Sequence, residues 1–177
     1  KTALDPWRAT RLVLCTAPLL YGLLRAARSS WLADDAFISF RYVDNWARGL
    51  GLVYNAGERV EGYTHFLWVV LLGGLHGLGF GLEALGAGLP LLFWAGLLAV
   101  LFVHAVRRRG AANGAPQAAW FALPVAAWAV ALHHDAQVYA TSGLETSLFA
   151  LLLAGALLLV AGRHPRLDLA AIVYALA

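Results

Sequence analysis

The chain is 177 residues long, 61% hydrophobic and 13% charged, with a formal net charge of +3. Soluble domains carry about a quarter charged residues, so this balance excludes an ordinary soluble enzyme and places the chain among polytopic membrane proteins. Twelve of the thirteen basic residues are arginines at the ends of apolar runs, a topological pattern and not a nucleic-acid footprint, and the single Cys15 excludes an internal disulfide framework.

Pro6 to Ser29 reads as the first membrane helix, with an apolar core from Leu12 to Leu24 and a kink predicted at Pro18. Arg8, Arg11, Arg25 and Arg28 can snorkel to the two interfaces. The run resembles a signal-peptide core, but arginines follow it and it has no convincing small-residue cleavage site, so a retained helix is expected. Residues 30–87 then form the first polar loop. Within it, 36–50 reads as an amphipathic interfacial helix ended by Gly49 and Gly51. Ala36, Phe40, Val43, Trp46, Ala47 and Leu50 share one face; Arg41, Asp44, Asn45 and Arg48 share the other, with Asp44 and Arg48 spaced to pair.

The run 66–82, FLWVVLLGGLHGLGFGL, is apolar for only about seven residues. Gly73, Gly74, Gly77, Gly79 and Gly81 then weaken any helix by up to ~1 kcal/mol each, and His76 interrupts it. A juxtamembrane or re-entrant helix is predicted there. Gly88 to Val106, Ala118 to Leu132 and Thr146 to Ala161 read as further crossings, with residues 133–145 as a second polar loop. Leu167 to Ala177 is too short to span, and the chain has no Met, so it is expected to be the N-terminal part of a longer protein. The fold class predicted for 1–177 is therefore all-α: one polytopic transmembrane helical bundle with interfacial helices in its first loop.

Arginine placement sets the orientation. Arg107, Arg108 and Arg109 form the densest basic cluster and are expected in the cytoplasm, as are Arg163 and Arg166. Two crossings separate these clusters, which puts 133–145 outside. If 66–82 does not span, the first polar loop also faces outside and the N-terminus lies inside.

The acids concentrate in that first loop: Asp34, Asp35, Asp44, Glu58 and Glu61 are five of the ten in the chain. One Asp suffices to cap the helix that follows. Two adjacent carboxylates directly after a membrane helix point to a functional site. Arg41, Arg59 and His65 offer cationic donors suited to a phosphate, although each is equally suited to a structural ion pair. The second loop adds His133, His134, Asp135, Tyr139, Ser142 and Glu145. In it, SGLE has the spacing of a helix cap, Ser142 three residues before Glu145. Asn55-Ala56-Gly57 signals a turn in the first.

The runs DDAFISFRYVDNWARGLGLVYNAGERVEGYTHFLW and ATSGLETSLFALL resemble the GT-C class of integral-membrane glycosyltransferases. Within that class the sequence is most similar to the actinobacterial cell-wall terminal arabinofuranosyltransferases and their relatives, over roughly Trp31 to Leu153. The resemblance implies a bacterial plasma-membrane enzyme with many crossings and an extracytoplasmic active site. It implies a polyprenyl-phosphate sugar donor drawn from the membrane lipid, a cell-envelope glycan or lipid acceptor, and transfer with inversion. It maps the catalytic base onto Asp34 or Asp35, and assistance onto Asp135 or Glu145 of the second loop, beside His134. A divalent cation (Mg, Mn or Ca) bridging Asp35, Asp135 and Glu145 is the one cofactor considered. The rival readings are a non-catalytic membrane subunit and a lipid or solute transporter module. Transporters place ionisable groups at mid-membrane depth, whereas here the acids gather in loops.

Overall fold

The computed structural model describes residues 6–111, 124–161 and 165–177. The expected start of a crossing at Ala118, and Arg163, lie outside the described residues, as do the side chains of Arg8, Arg11, Arg108 and Arg109. Among the described residues the regular structure is all helical. The helices are α1 (Pro6–Arg28), α2 (Asp34–Ala47), α3 (Phe66–Gly77), α4 (Leu82–Ala111), α5 (Val125–Leu132), α6 (His134–Tyr139), α7 (Thr146–Val160) and α8 (Leu167–Ala175).

Among the described residues one helix is long and apolar enough to cross a bilayer: α4, over the 26 residues Leu82–Arg107, within which an 18-residue window has a mean hydropathy of 2.2. At 1.5 Å per residue that stretch is roughly 39 Å, against about 30 Å of hydrocarbon. By the same rise α3 is about 18 Å and α7 about 22 Å, both apolar but short.

Pro18 lies inside α1 and cannot donate to the carbonyl four residues before it, Leu14. The freed carbonyl is not left bare: Trp128 of α5 donates its indole Nε1–H to Leu14 O at 2.9 Å. Further along, Trp94 of α4 donates to Gly22 O at 3.3 Å. A Cβ at Gly22 would come within 2.8 Å of Leu98, so glycine is what lets α1 and α4 approach. These contacts frame one core, built from Ala26, Trp94, Leu97, Leu98, Ala131 and Ala140.

A second core lies nearer the start of α4: Ala36, Phe40 and Val43 of α2, Trp68, Val69 and Leu72 of α3, Leu85 of α4 and Leu148 of α7. It corrects the predicted face of α2. Asn45, expected on the polar side, is buried, and Trp46, expected on the apolar side, is exposed at its rim, its ring lying against Gly73. Asn45 is buried because its amide donates to two loop carbonyls, Val53 O at 2.8 Å and Tyr54 O at 2.9 Å. The expected Asp44–Arg48 pair forms, at 2.8 Å.

The glycine-rich run also differs from expectation. Instead of one weakened helix to Leu82, α3 stops at Gly77, Gly79 turns the chain at φ +98, and α4 starts at Leu82 instead of Gly88. His76 Nδ1 bonds the Phe80 carbonyl at 2.8 Å and closes that turn. The second polar loop contains a helix, α6, where a loop was expected; the His133 side chain caps it by accepting from Ala136 N–H at 3.2 Å.

The start of α4 therefore meets both polar loops. Phe40 packs over Gly86, and Gly143 lies 3.9 Å from the Gly86 carbonyl as measured from an added Cβ. Arg107 lies roughly 32 Å further along the same helix. It shares an open apolar groove there with Gly155, Leu158 and Val173.

Candidate active site

The site is assembled by bonds between chain segments far apart in sequence. Ala33, the residue before α2, donates its N–H to Ser142 O at 2.8 Å. Two residues earlier, Trp31 donates Nε1–H to Val138 O at 3.0 Å, and its ring meets Tyr139 edge-on at 6.3 Å. Thr141 donates at the end of α1, to Ala26 O at 3.5 Å and to Ser29 O, just past the helix, at 3.4 Å. From α3, buried Trp68 donates to Gly143 O at 3.2 Å. Gly143 is required twice over: its φ is +83, and a Cβ there would stand 2.8 Å from the Ala36 Cβ. The second polar loop is thus bolted onto the segment that carries the paired aspartates.

Asp34 and Asp35 open α2, and both are exposed. Neither is the expected cap: Ala33 holds the N-cap position and no side chain caps it. In the first turn their charge still complements the positive end of the helix. Helical spacing separates them. Asp34 shares its stripe with exposed Phe37 and Ile38, whereas Asp35 stands one turn from Ser39.

Ser39 is fully buried, and its hydroxyl lies 2.7 Å from His65 Nε2. The other ring nitrogen, Nδ1, faces Glu145 Oε2 at 3.7 Å. His65 immediately precedes α3 and Glu145 immediately precedes α7, so the line Ser39–His65–Glu145 ties three helix starts together. Sequence reasoning missed Ser39, since only its i,i+4 relation to Asp35 marks it. The capping box expected from Ser142 and Glu145 does not form: the Ser142 hydroxyl donates to Tyr139 O at 3.1 Å, and Glu145 caps nothing with its side chain.

His65 and Glu145 sit at the polar end of a cavity of about 290 Å³. Its walls are apolar, from Phe66, Leu67, Leu148, Phe149 and Leu152. A second cavity, about 640 Å³, is lined by Leu52, Arg59, Val60, Glu61, Tyr63 and Phe66. The three cations expected at a phosphate are thereby divided. His65 lines the first cavity and Arg59 the second, while Arg41 is exposed and donates Nε–H to Tyr54 O at 3.2 Å. Beside the second cavity, Tyr42 stacks edge-on against its lining residue Tyr63 at 4.8 Å and donates to Val60 O at 2.8 Å. Burial, then the carboxylate of Glu61, then Tyr42, raises the Tyr63 phenol above its ordinary value of 10.0.

His134 and Asp135 lie exposed on α6, which packs against α1 and α5, apart from the His65–Glu145 contact. Among the described residues no group of three or more His, Cys, Asp or Glu is placed to hold a metal ion. The trio Asp35, Asp135 and Glu145 considered from sequence is not gathered into such a group, and no step is assigned to a divalent cation.

Part of the chain is similar to two proteins named terminal β-(1→2)-arabinofuranosyltransferase. The one from Mycobacterium tuberculosis is 35% identical over 120 residues, which is 67% of this chain and 19% of the relative. The one from Corynebacterium glutamicum is 53% identical over 38 residues, 22% of this chain and 6% of the relative. No family model matches the sequence. No solved structure matches it. The chain spans about a fifth of the longer-matching relative, and the relationship is one of partial, distant similarity to arabinofuranosyltransferases.

Proposed function

We propose that the chain is part of a multi-pass membrane glycosyltransferase. It moves a sugar, arabinofuranose by analogy with the named relatives, from a polyprenyl-phosphate donor to a cell-envelope glycan or lipid acceptor at the extracytoplasmic face. The observation that carries this reading is the 2.8 Å bond from Ala33 N–H to Ser142 O. It brings the second polar loop, with its own acid Glu145, against the root of the Asp34–Asp35 pair. Two acidic loops joined at one end of an apolar helix suit chemistry at a membrane surface, where a lipid-borne donor meets a water-borne acceptor.

In this reading the acceptor hydroxyl oxygen attacks the anomeric carbon of the donor. Its proton passes to an aspartate carboxylate. The bond between the anomeric carbon and the phosphate oxygen breaks, and the lipid phosphate leaves with the electron pair. Charge at the sugar builds up as in glycoside chemistry, and a single displacement inverts the anomeric centre. General-base help of this kind contributes typically about 10²–10⁴-fold. Asp35 is favoured over Asp34 because it stands one turn from Ser39, whose hydroxyl meets His65. Arg41 and Arg59 remain the cations proposed for the donor phosphate.

The test is transfer from a polyprenyl-phosphate arabinofuranose by the membrane-embedded full-length protein. Asp35→Asn should lower kcat by about 10²–10⁴-fold. Asp34→Asn should cost about tenfold or less, since it removes only a neighbouring charge. Unchanged transfer by both variants would remove the base assignment, and no transfer by the wild type would favour a non-catalytic membrane subunit.

A further inference from the structure

Resting on the glycosyltransferase reading, we propose that Ser39 and His65 are positioning residues for Glu145, and that Glu145 is the second-loop group presented to the substrate. His65 is not available as a phosphate ligand, because both its ring nitrogens face protein partners. Nε2 is held 2.7 Å from Ser39 Oγ, inside the protein, where Ser39 is fully buried. Nδ1 faces the Glu145 carboxylate at 3.7 Å.

The tautomer follows from the partners. A carboxylate only accepts, so it attracts the ring proton to Nδ1, and Nε2 is then the acceptor for the Ser39 hydroxyl. Ser39 lies on a rigid helix turn with no exposed surface, so it fixes the ring from behind. The ring in turn faces Glu145 at 3.7 Å, an electrostatic approach longer than a hydrogen bond; Glu145 is itself about one-third exposed and lines the 290 Å³ cavity. Glu145 precedes α7 without capping it, so its carboxylate is not committed to the helix. Among the described residues, the titratable groups in contact with His65 are Glu145, which precedes α7, and Tyr63, 6.5 Å away ring to ring; Asp35 stands one helical turn from its partner Ser39.

The arrangement predicts coupling. Ser39→Ala and Glu145→Gln should each lower kcat by about 5–10-fold, the effect of one hydrogen bond of ordinary worth, with KM changed less than about twofold. The double variant should be no slower than the slower single, because both substitutions break one chain. A multiplied loss, about 25–100-fold, would mean the two residues act independently and would overturn the proposal. Ser39→Cys, which keeps a weak donor, should recover part of the loss that Ser39→Ala shows.

A readout that does not need transfer decides the geometry even if the glycosyltransferase reading fails. In ¹⁵N-histidine-labelled full-length protein, the neutral His65 ring should carry its proton on Nδ1. Glu145→Gln should shift it toward Nε2. A wild-type Nε2–H tautomer would sink the proposal while leaving the aspartate assignment intact. Loss of the aspartate effects with the tautomer as predicted would sink the transfer reading alone.

Discussion

The first loop is held by side chains that satisfy its own backbone. Tyr42 serves Val60 O, Asn45 serves Val53 O and Tyr54 O, and Arg41 serves Tyr54 O. Tyr63 completes the set by ring contact, and it carries a measurable signature. Its phenol is raised, so the folded state keeps a proton that the unfolded chain gives up from 10.0 upward. The stability tied to this is fully present below pH 10.0 and is lost as the pH climbs through the folded value. Unfolding midpoints in detergent should therefore fall more steeply above that pH in the wild type than in Tyr63→Phe, which keeps the ring. Of these residues the sequence disclosed only part. Two adjacent aspartates after an apolar run are conspicuous whatever the fold. Ser39 is not, because its importance comes from His65, which is brought to it from 26 residues away. Asn45 was placed on the wrong face by periodicity, which records polarity but not the carbonyls waiting in a loop that folds back.

At the scale of elements, the helices follow their apolar runs and stop at their glycines. The ends of α1 and α7 fall within a residue of the expected 6–29 and 146–161, whereas α2 runs Asp34–Ala47 instead of 36–50, taking in the paired aspartates that were expected to precede it. The end of α3 was misjudged because Gly73 and Gly74 continue the helix, and the turn waits for Gly79 with its positive φ. α6 was invisible because six polar-leaning residues carry no period, and its cap, His133, belongs to a run that suggests ligands. The most testable element is the pairing of α1 with α5. Pro18 removes the donor for Leu14 O, and Trp128 replaces it at 2.9 Å. Trp128→Phe keeps a smaller aromatic ring and deletes that N–H. It should destabilise the protein by about 1–3 kcal/mol, the cost of a carbonyl left without a donor. Pro18→Ala restores a helix donor, so it should suppress most of that loss; a double-mutant cycle on thermal stability reads both.

For the whole molecule, α4 sets the axis: the polar loops gather near Gly86, and Arg107 stands roughly 32 Å away. Charge counting alone had placed the same groups at opposite ends. In a Cys15→Ala background a cysteine at exposed Asn55 should react with an impermeant maleimide from outside intact cells, and one at exposed Arg166 should react only after permeabilisation. Equal labelling would overturn the orientation. What charge and hydropathy could not disclose is how the loops interlock, since hydrogen bonds between backbone groups leave no trace in residue type.

The stitch between Trp31 and Val138 joins positions 107 residues apart. A growing chain therefore makes its paired carboxylates long before it makes the residues that brace them. Until the strap at Val138–Gly143 has been synthesised and threaded back, the acids stand on a helix packed against α3 and α4 but lacking its bonds to Val138 and Ser142. Chains truncated ahead of that strap should insert into membranes yet stay inert.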